Sequence, residues 1–288
     1  MNVVSRSQPA QAPPSQAGAS QAPLKIGSEA HKHAFCRMLI DTFDPYKPAV
    51  IDWPELEPDA LARITGLPFW TIAVETEDRA SAHIGAMAAQ TADPLMREAL
   101  EMMAFEESRH RKVLNALVER YGIVLDDIPK YVPSKRVEWN FMSTGYGECL
   151  DSFFAFGLFD LARSSGYFPP ELVETFEPVI REEGRHIVFF VNWAAYTQAN
   201  TPLLGKPWFA AKRLVHLFLN GLSRIGIGGD QDDFATAGKE SVGVDIDLPQ
   251  FLDLCLSENE RRMASLDHRL VRPVIMPKAV KAARFFIR

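Results

Sequence analysis

The feature that most limits the fold is a short motif that occurs twice. Phe105-Glu106-Glu107-Ser108-Arg109-His110 and Arg181-Glu182-Glu183-Gly184-Arg185-His186 both contain Glu-Glu-x-Arg-His. Met102, Met103, Ala104 and Phe105 lead into the first copy, and Ile187, Val188, Phe189 and Phe190 follow the second. A charged run usually marks a solvated helix face, but these apolar neighbours argue for burial. Residues three apart on a helix lie on one face, one turn above the other. Glu107 can therefore aim at the same point as His110, and Glu183 at the same point as His186. Burying a bare carboxylate costs several kcal/mol, so these acids need a compensating charge, which a pair of divalent or trivalent metal ions supplies.

The sequence around the motifs is helical, and strand signals are scarce. Helices are predicted over 69–91, 95–121, 139–164 and 171–198. Pro94 suits the first position of the second helix, and Gly122 is a stop. Pro178 either kinks the fourth helix or follows a short separate turn. The layout of the first helix pair resembles that of the second, which suggests two hairpins about a pseudo-twofold axis. Residues 1–25, rich in Pro, Ala, Gln and Ser, read as a disordered tail. Residues 26–66 form a lead-in segment, irregular where Asp44–Asp59 carries four prolines. The bundle spans 67–200. A C-terminal helical extension over 201–288 has helices near 207–225 and 248–268, with a Gly-rich loop GIGGDQDDF between them. The basic, partly amphipathic PKAVKAARFFIR segment reads as a docked terminal helix, with contact to a membrane surface or a partner as the alternative.

Two Glu and two His do not complete a two-metal site; in such bundles each remaining helix adds one Glu. The third helix offers Glu148. The first offers Glu75 and Glu77. An inward Glu77 shares its stripe with Trp70, Val74, Ala80 and Ile84, whereas an inward Glu75 brings Asp78, Arg79 and His83 inward with it. The stripe favours Glu77; against that, the Glu75–Asp78 spacing echoes Glu148–Asp151. Metal-bound histidines usually donate their other N–H to a carboxylate or carbonyl. Glu106 and Glu182 each precede a ligand histidine by four residues, on nearly the same face. Arg109 is expected to pair with Glu182 across the bundle, and Arg185 with Glu106. Asp151 stands one turn from Glu148 as a further partner or alternative ligand. His83 and His216 read as satisfied histidines. Phe153, Phe154, Phe156 and Phe159 are core residues or the lining of an apolar pocket.

Paired Glu-Glu-x-Arg-His motifs, each 30 to 35 residues after a lone Glu, resemble those of the ferritin-like di-iron carboxylate proteins. The motif form is similar to that of the bacterial multicomponent monooxygenase hydroxylases and of the aerobic magnesium-protoporphyrin ester cyclase. Its spacing is close to that of the demethoxyubiquinone hydroxylases. The resemblance covers about residues 69–198. It implies an all-α, ferritin-like four-helix bundle with additional C-terminal helices. It also implies two iron ions on Glu77 (or Glu75), Glu107, His110, Glu148, Glu183 and His186, with Glu106, Arg109, Glu182 and Arg185 behind them. Manganese, or a manganese–iron pair, suits the same donors.

The activity expected is that of an oxygen-dependent oxidoreductase (hydroxylase, oxidase or desaturase) acting on a small apolar molecule. The extra helices after the bundle favour this reading. The alternatives are a rubrerythrin-like peroxidase or iron-handling protein, and a non-catalytic helical interaction module. Partners expected are molecular oxygen, a small-molecule substrate and an electron-donor protein; a homodimer is compatible with the chain. A formal net charge of −6 gives no basic face for nucleic acid. No run of about 18 apolar residues exists to span a membrane, and no membrane contact is expected. Cys36, Cys149 and Cys255 are scattered, which argues against disulfides and cysteine zinc sites and for a cytoplasmic protein.

Overall fold

Turn chemistry sets the helix ends. In the computed structural model, which describes residues 23–127, 131–224 and 246–286, helix α1 (Glu29–Asp41) is capped by Ser28, whose hydroxyl accepts the His31 N–H at 3.2 Å. After α2 (Pro58–Thr65) come two long helices, α3 (Trp70–Gln90) and α4 (Pro94–Tyr121). The link between these two is so short that they must run antiparallel. Asp93 caps α4 by accepting the Met96 N–H at 2.9 Å, and Pro94 occupies the first turn, where no N–H is needed. Gly122 ends α4 at φ +64°, the left-handed conformation that side chains resist.

Helix α5 (Val137–Ser165) is followed by α6 (Pro170–Glu174) and α7 (Glu177–Asn200). The chain thus takes the separate-turn alternative at Pro178. The proline sits in the first turn of α7, and the break falls just before it, so no helical N–H is lost. The extension holds α8 (Lys206–Arg224), α9 (Leu248–Ala264) and α10 (Ile275–Phe286). Among the described residues there is no strand, and no helix is long and apolar enough to cross a membrane. Residues 1–22 of the expected tail and the GIGGDQDDF loop lie outside the described residues.

The four long helices α3, α4, α5 and α7 pack on one another, α3 against α4 and α5, α7 against α5 and α4. Helix α1 closes the outer groove of α4 and α7, α8 and α9 lie on α5, and α10 packs on α9 and α5. Glycines permit two close approaches. A Cβ on Gly145 would run into the Phe190 ring, and one on Gly157 would run into the Cys255 thiol and lie 3.1 Å from the Cys255 Cα. Two apolar layers bracket the middle of the helices. Ile84, Leu100, Met103, Phe141 and Phe189 belong to one; Trp70, Leu117, Phe159 and Leu172 belong to the other. The paired motifs fall between these layers on α4 and α7.

Candidate metal centre

The motif residues fall on the faces of α4 and α7 that the helical repeat turns toward the other long helices, while neighbours such as Arg111 and Arg181 face out. Glu106, Glu107, Arg109, His110, Glu182, Arg185 and His186 are all buried. The two imidazoles face each other with ring centroids 5.6 Å apart. Donor atoms of Glu77, Glu107, His110 and Glu183 lie within 4.8 Å of one another, a group that can hold a metal ion. His110 Nδ1 lies 3.1 Å from Glu183 Oε1, 3.6 Å from Glu77 Oε2 and 3.7 Å from Glu107 Oε2. On the other side of Glu107, its Oε1 lies 2.7 Å from His186 Nδ1.

The free lone pairs are the most informative observation. His110 Nδ1, His186 Nδ1, Glu107 Oε1 and both carboxylate oxygens of Glu148 are buried and make no hydrogen bond. Glu107 Oε1 and His186 Nδ1 are near enough for one, but they do not point at each other as a donor and acceptor do. Each unpaired buried polar atom costs roughly 1–3 kcal/mol, and native interiors keep few of them. Five in one place, all of them metal-ligating atom types, fit a cation or cations bound among them.

The opposite ring nitrogens are fully engaged. His110 Nε2 is 2.8 Å from Glu182 Oε2, and His186 Nε2 is 2.8 Å from Glu106 Oε2. Arg109 donates to Glu182 Oε1 at 2.6 Å and Arg185 to Glu106 Oε1 at 2.5 Å. The cross-bundle Arg–Glu pairs predicted from sequence are therefore present. The acid beside each histidine also comes from the facing helix, not from four residues earlier on its own helix. Side chains four apart project in parallel, so the Nε2 edge of each ring meets the opposite helix instead. A carboxylate at Nε2 fixes the N–H there and leaves Nδ1 as the lone-pair nitrogen, the tautomer a ligand needs.

The electrostatics follow from crowding. Burial pushes Glu77 up to about 8, although His110 opposes the shift. Burial, together with Glu107 and Glu183, holds Glu148 well above the usual carboxylate range. For His110 and His186 burial acts downward, but the surrounding carboxylates outweigh it and both are raised well above an ordinary histidine. For Glu107 burial acts upward, but the two histidines outweigh it and hold the acid low. These shifts favour protons at the positions that a bound cation would take, so protons and cations compete for the cluster.

Of the two acids weighed on α3, Glu77 lies in the cluster, whereas Glu75 lies partly in solvent, 3.8 Å from Arg79. Asp78 also turns outward, pairing with Arg111 at 2.5 Å. Asp151 is half-buried and outside the four-residue group; its neighbour Ser152 instead reaches Glu183 Oε2 at 3.4 Å. His83 is satisfied by Thr144 at 2.7 Å and by Tyr131, and burial pushes it down to about 4. His216 lies tilted against Trp139 and parallel to Tyr146, and its buried Nε2 makes no hydrogen bond, so the expectation of a satisfied histidine holds for His83 and not for His216.

The sequence reading passed over the part played by the lead-in segment. Asp44 O accepts from Arg109 at 2.5 Å, Leu39 O and Thr42 Oγ1 accept from Arg185, and the Tyr46 ring lies 3.9 Å under the Arg109 guanidinium. The Tyr46 hydroxyl also donates to Glu182 at 3.4 Å. Contacts across more than 60 positions leave no local signal. Beyond Glu77, an apolar cavity of about 280 Å³ is lined from α2 through α7, by residues such as Trp70, Leu114, Leu158, Phe159 and Phe176; Glu77 is the one ionisable side chain in its lining. Of Phe153, Phe154, Phe156 and Phe159 on α5, only Phe159 lines it; Phe153 and Phe154 pack with Phe251 of α9, and Phe156 lies in the core. No family model, no curated protein and no solved structure matches this chain.

Proposed function

We propose that the chain is a ferritin-like di-iron oxidoreductase that uses molecular oxygen on a small apolar molecule. The observation that carries this reading is the pair of buried, unpaired Nδ1 atoms, each on a ring whose Nε2 is held by a carboxylate. Glu77, Glu107, His110, Glu148, Glu183 and His186 would hold two iron ions, which when bound supply the electrons and open positions for oxygen reduction. The remaining roles belong to the protein. Glu106 and Glu182 orient the two rings, Arg109 and Arg185 hold those acids in place, and the flanking apolar layers keep bulk water from the carboxylates. The cavity ending at Glu77 gives an apolar molecule a route to the ligand set with no charged group to repel it. An iron-storage bundle needs no such cavity, which favours the oxidoreductase over an iron-handling role. Electrons for turnover would come from a separate donor protein.

The test is an anaerobic ferrous titration followed by oxygen with and without reductant. Two irons per chain, reductant-dependent oxygen consumption and no mineral core are expected. Accumulation of many irons per chain would move the assignment to iron handling, and no binding would leave a helical interaction module. Parallel titration with manganese decides the metal, since carboxylate and imidazole donors suit both.

A further inference from the structure

Helix α8 has one face docked and the other bare. Phe209 and His216 are buried, and the helix packs on α5 and α7. The outward positions recur every three or four residues: Trp208, Ala211, Leu214, Val215, Phe218 and Leu219. Every one is apolar, and Trp208, Leu214 and Phe218 are each about two-thirds exposed (70%, 67% and 64%). Leu203 and Leu204, in the turn that precedes the helix, are more exposed still. From Leu204 to Leu219 the stripe runs roughly 22 Å at 1.5 Å per residue. Val274 and Ile275, also exposed, lie beside α8, lining the same small cavity as Arg213 and Leu217 on its flank.

Charge identifies the occupant. Residues 201–224 contain Lys206, Lys212, Arg213 and Arg224 and no acid; residues 268–288 contain six Lys or Arg and no acid, in a chain whose net charge is −6. Glu138 pairs with Lys212, Asp267 with Arg269 and Asp253 with Arg284, which offsets three of these ten cations and leaves both segments basic. Against a second copy of the chain, this face would bring like charges together with no carboxylate from either segment to pair them. A bilayer with anionic headgroups satisfies both features: the acyl boundary takes the Trp, Leu and Phe side chains, and the phosphates take the cations on the flanks. We infer that α8, with the start of α10, docks this protein in the plane of an anionic lipid surface without crossing it. This departs from the expectation from sequence that no membrane is contacted, and it stands apart from the metal assignment.

The test is flotation of the purified full-length chain with vesicles of phosphatidylcholine alone and of phosphatidylcholine mixed with phosphatidylglycerol. Sedimentation velocity without lipid runs in parallel. Binding is expected to the mixed vesicles, more weakly to the neutral ones, and to weaken as salt is added. The double variant L214E/F218E should lower vesicle partition by about tenfold or more, with its melting temperature and metal content unchanged. Brominated acyl chains should quench the wild-type chain, and less so W208F, which reports burial of this face independently of the double variant. Failure to float with either vesicle would overturn the proposal. So would a lipid-independent dimer that L214E/F218E splits into monomers, because a second copy would then cover the stripe.

Discussion

At the scale of single residues, the assignment turns on which acids are held by protons and which by charge. Glu77→Gln should abolish or severely weaken metal binding at one position, whereas Glu75→Gln, in solvent beside Arg79, should change the affinity less than about twofold, within ordinary surface effects. Ferrous or manganous titration of the two variants separates them. Glu182→Gln keeps the shape but weakens the acceptor at His110 Nε2; metal affinity should fall about 10- to 100-fold, the usual cost of losing such a partner. The pH dependence has a definite sign. Glu77 is raised to about 8, and His110 and His186 are raised as well, so a metal ion must displace protons below that pH. Apparent affinity should therefore climb from pH 6 to pH 8, with protons released into weakly buffered solution. A flat profile would contradict this electrostatic account.

At the scale of elements, close packing decides where the extension sits. Gly157 lets α9 rest on α5 with the Cys255 Cα 3.1 Å from where a Cβ would be. Gly157→Ala should cost about 1–3 kcal/mol through overpacking. The loss should be the same with and without metal, because this contact lies away from the ligands; thermal melts of both forms check it. Helices α3, α4 and α5, and the break before Pro178, were readable from sequence because caps, prolines and glycines act within a few residues of themselves. The capping of Arg109 and Arg185 by residues 39–46 was not, because it depends on where α1 and its following loop come to lie.

At the scale of the whole molecule, the proposed metal centre would link stability to metal content. In the metal-free protein, Glu77 ionises near pH 8 when folded but near 4.5 when unfolded. The unfolded state therefore loses this proton first, and folded stability falls as pH rises between those values. The raised histidines act in the same sense, giving stability below their ordinary value of 6.5 that is lost as pH rises through their folded values. Metal ions replace the displaced protons, so the rise in melting temperature on metal loading should be larger at pH 8 than at pH 6. Equal rises at both would show that the ions bind elsewhere. The bare face of α8 is also a whole-molecule property. The sequence carried the stripe, but whether it faced the core or solvent depended on the packing of the neighbouring helices.

The sequence by itself determined the helices, the two inward-facing Glu-x-x-His pairs and the cross-bundle arginines, because the helical repeat links residue spacing directly to direction. It narrowed the α3 acid to two positions, Glu75 and Glu77. Tertiary structure alone placed Glu77 among the clustered donor atoms, set each histidine against the acid of the opposite helix, brought Tyr46 and Asp44 over Arg109, and opened the cavity beyond Glu77. These features depend on the rotation and separation of helices about one another, which are fixed by packing between residues far apart in the chain.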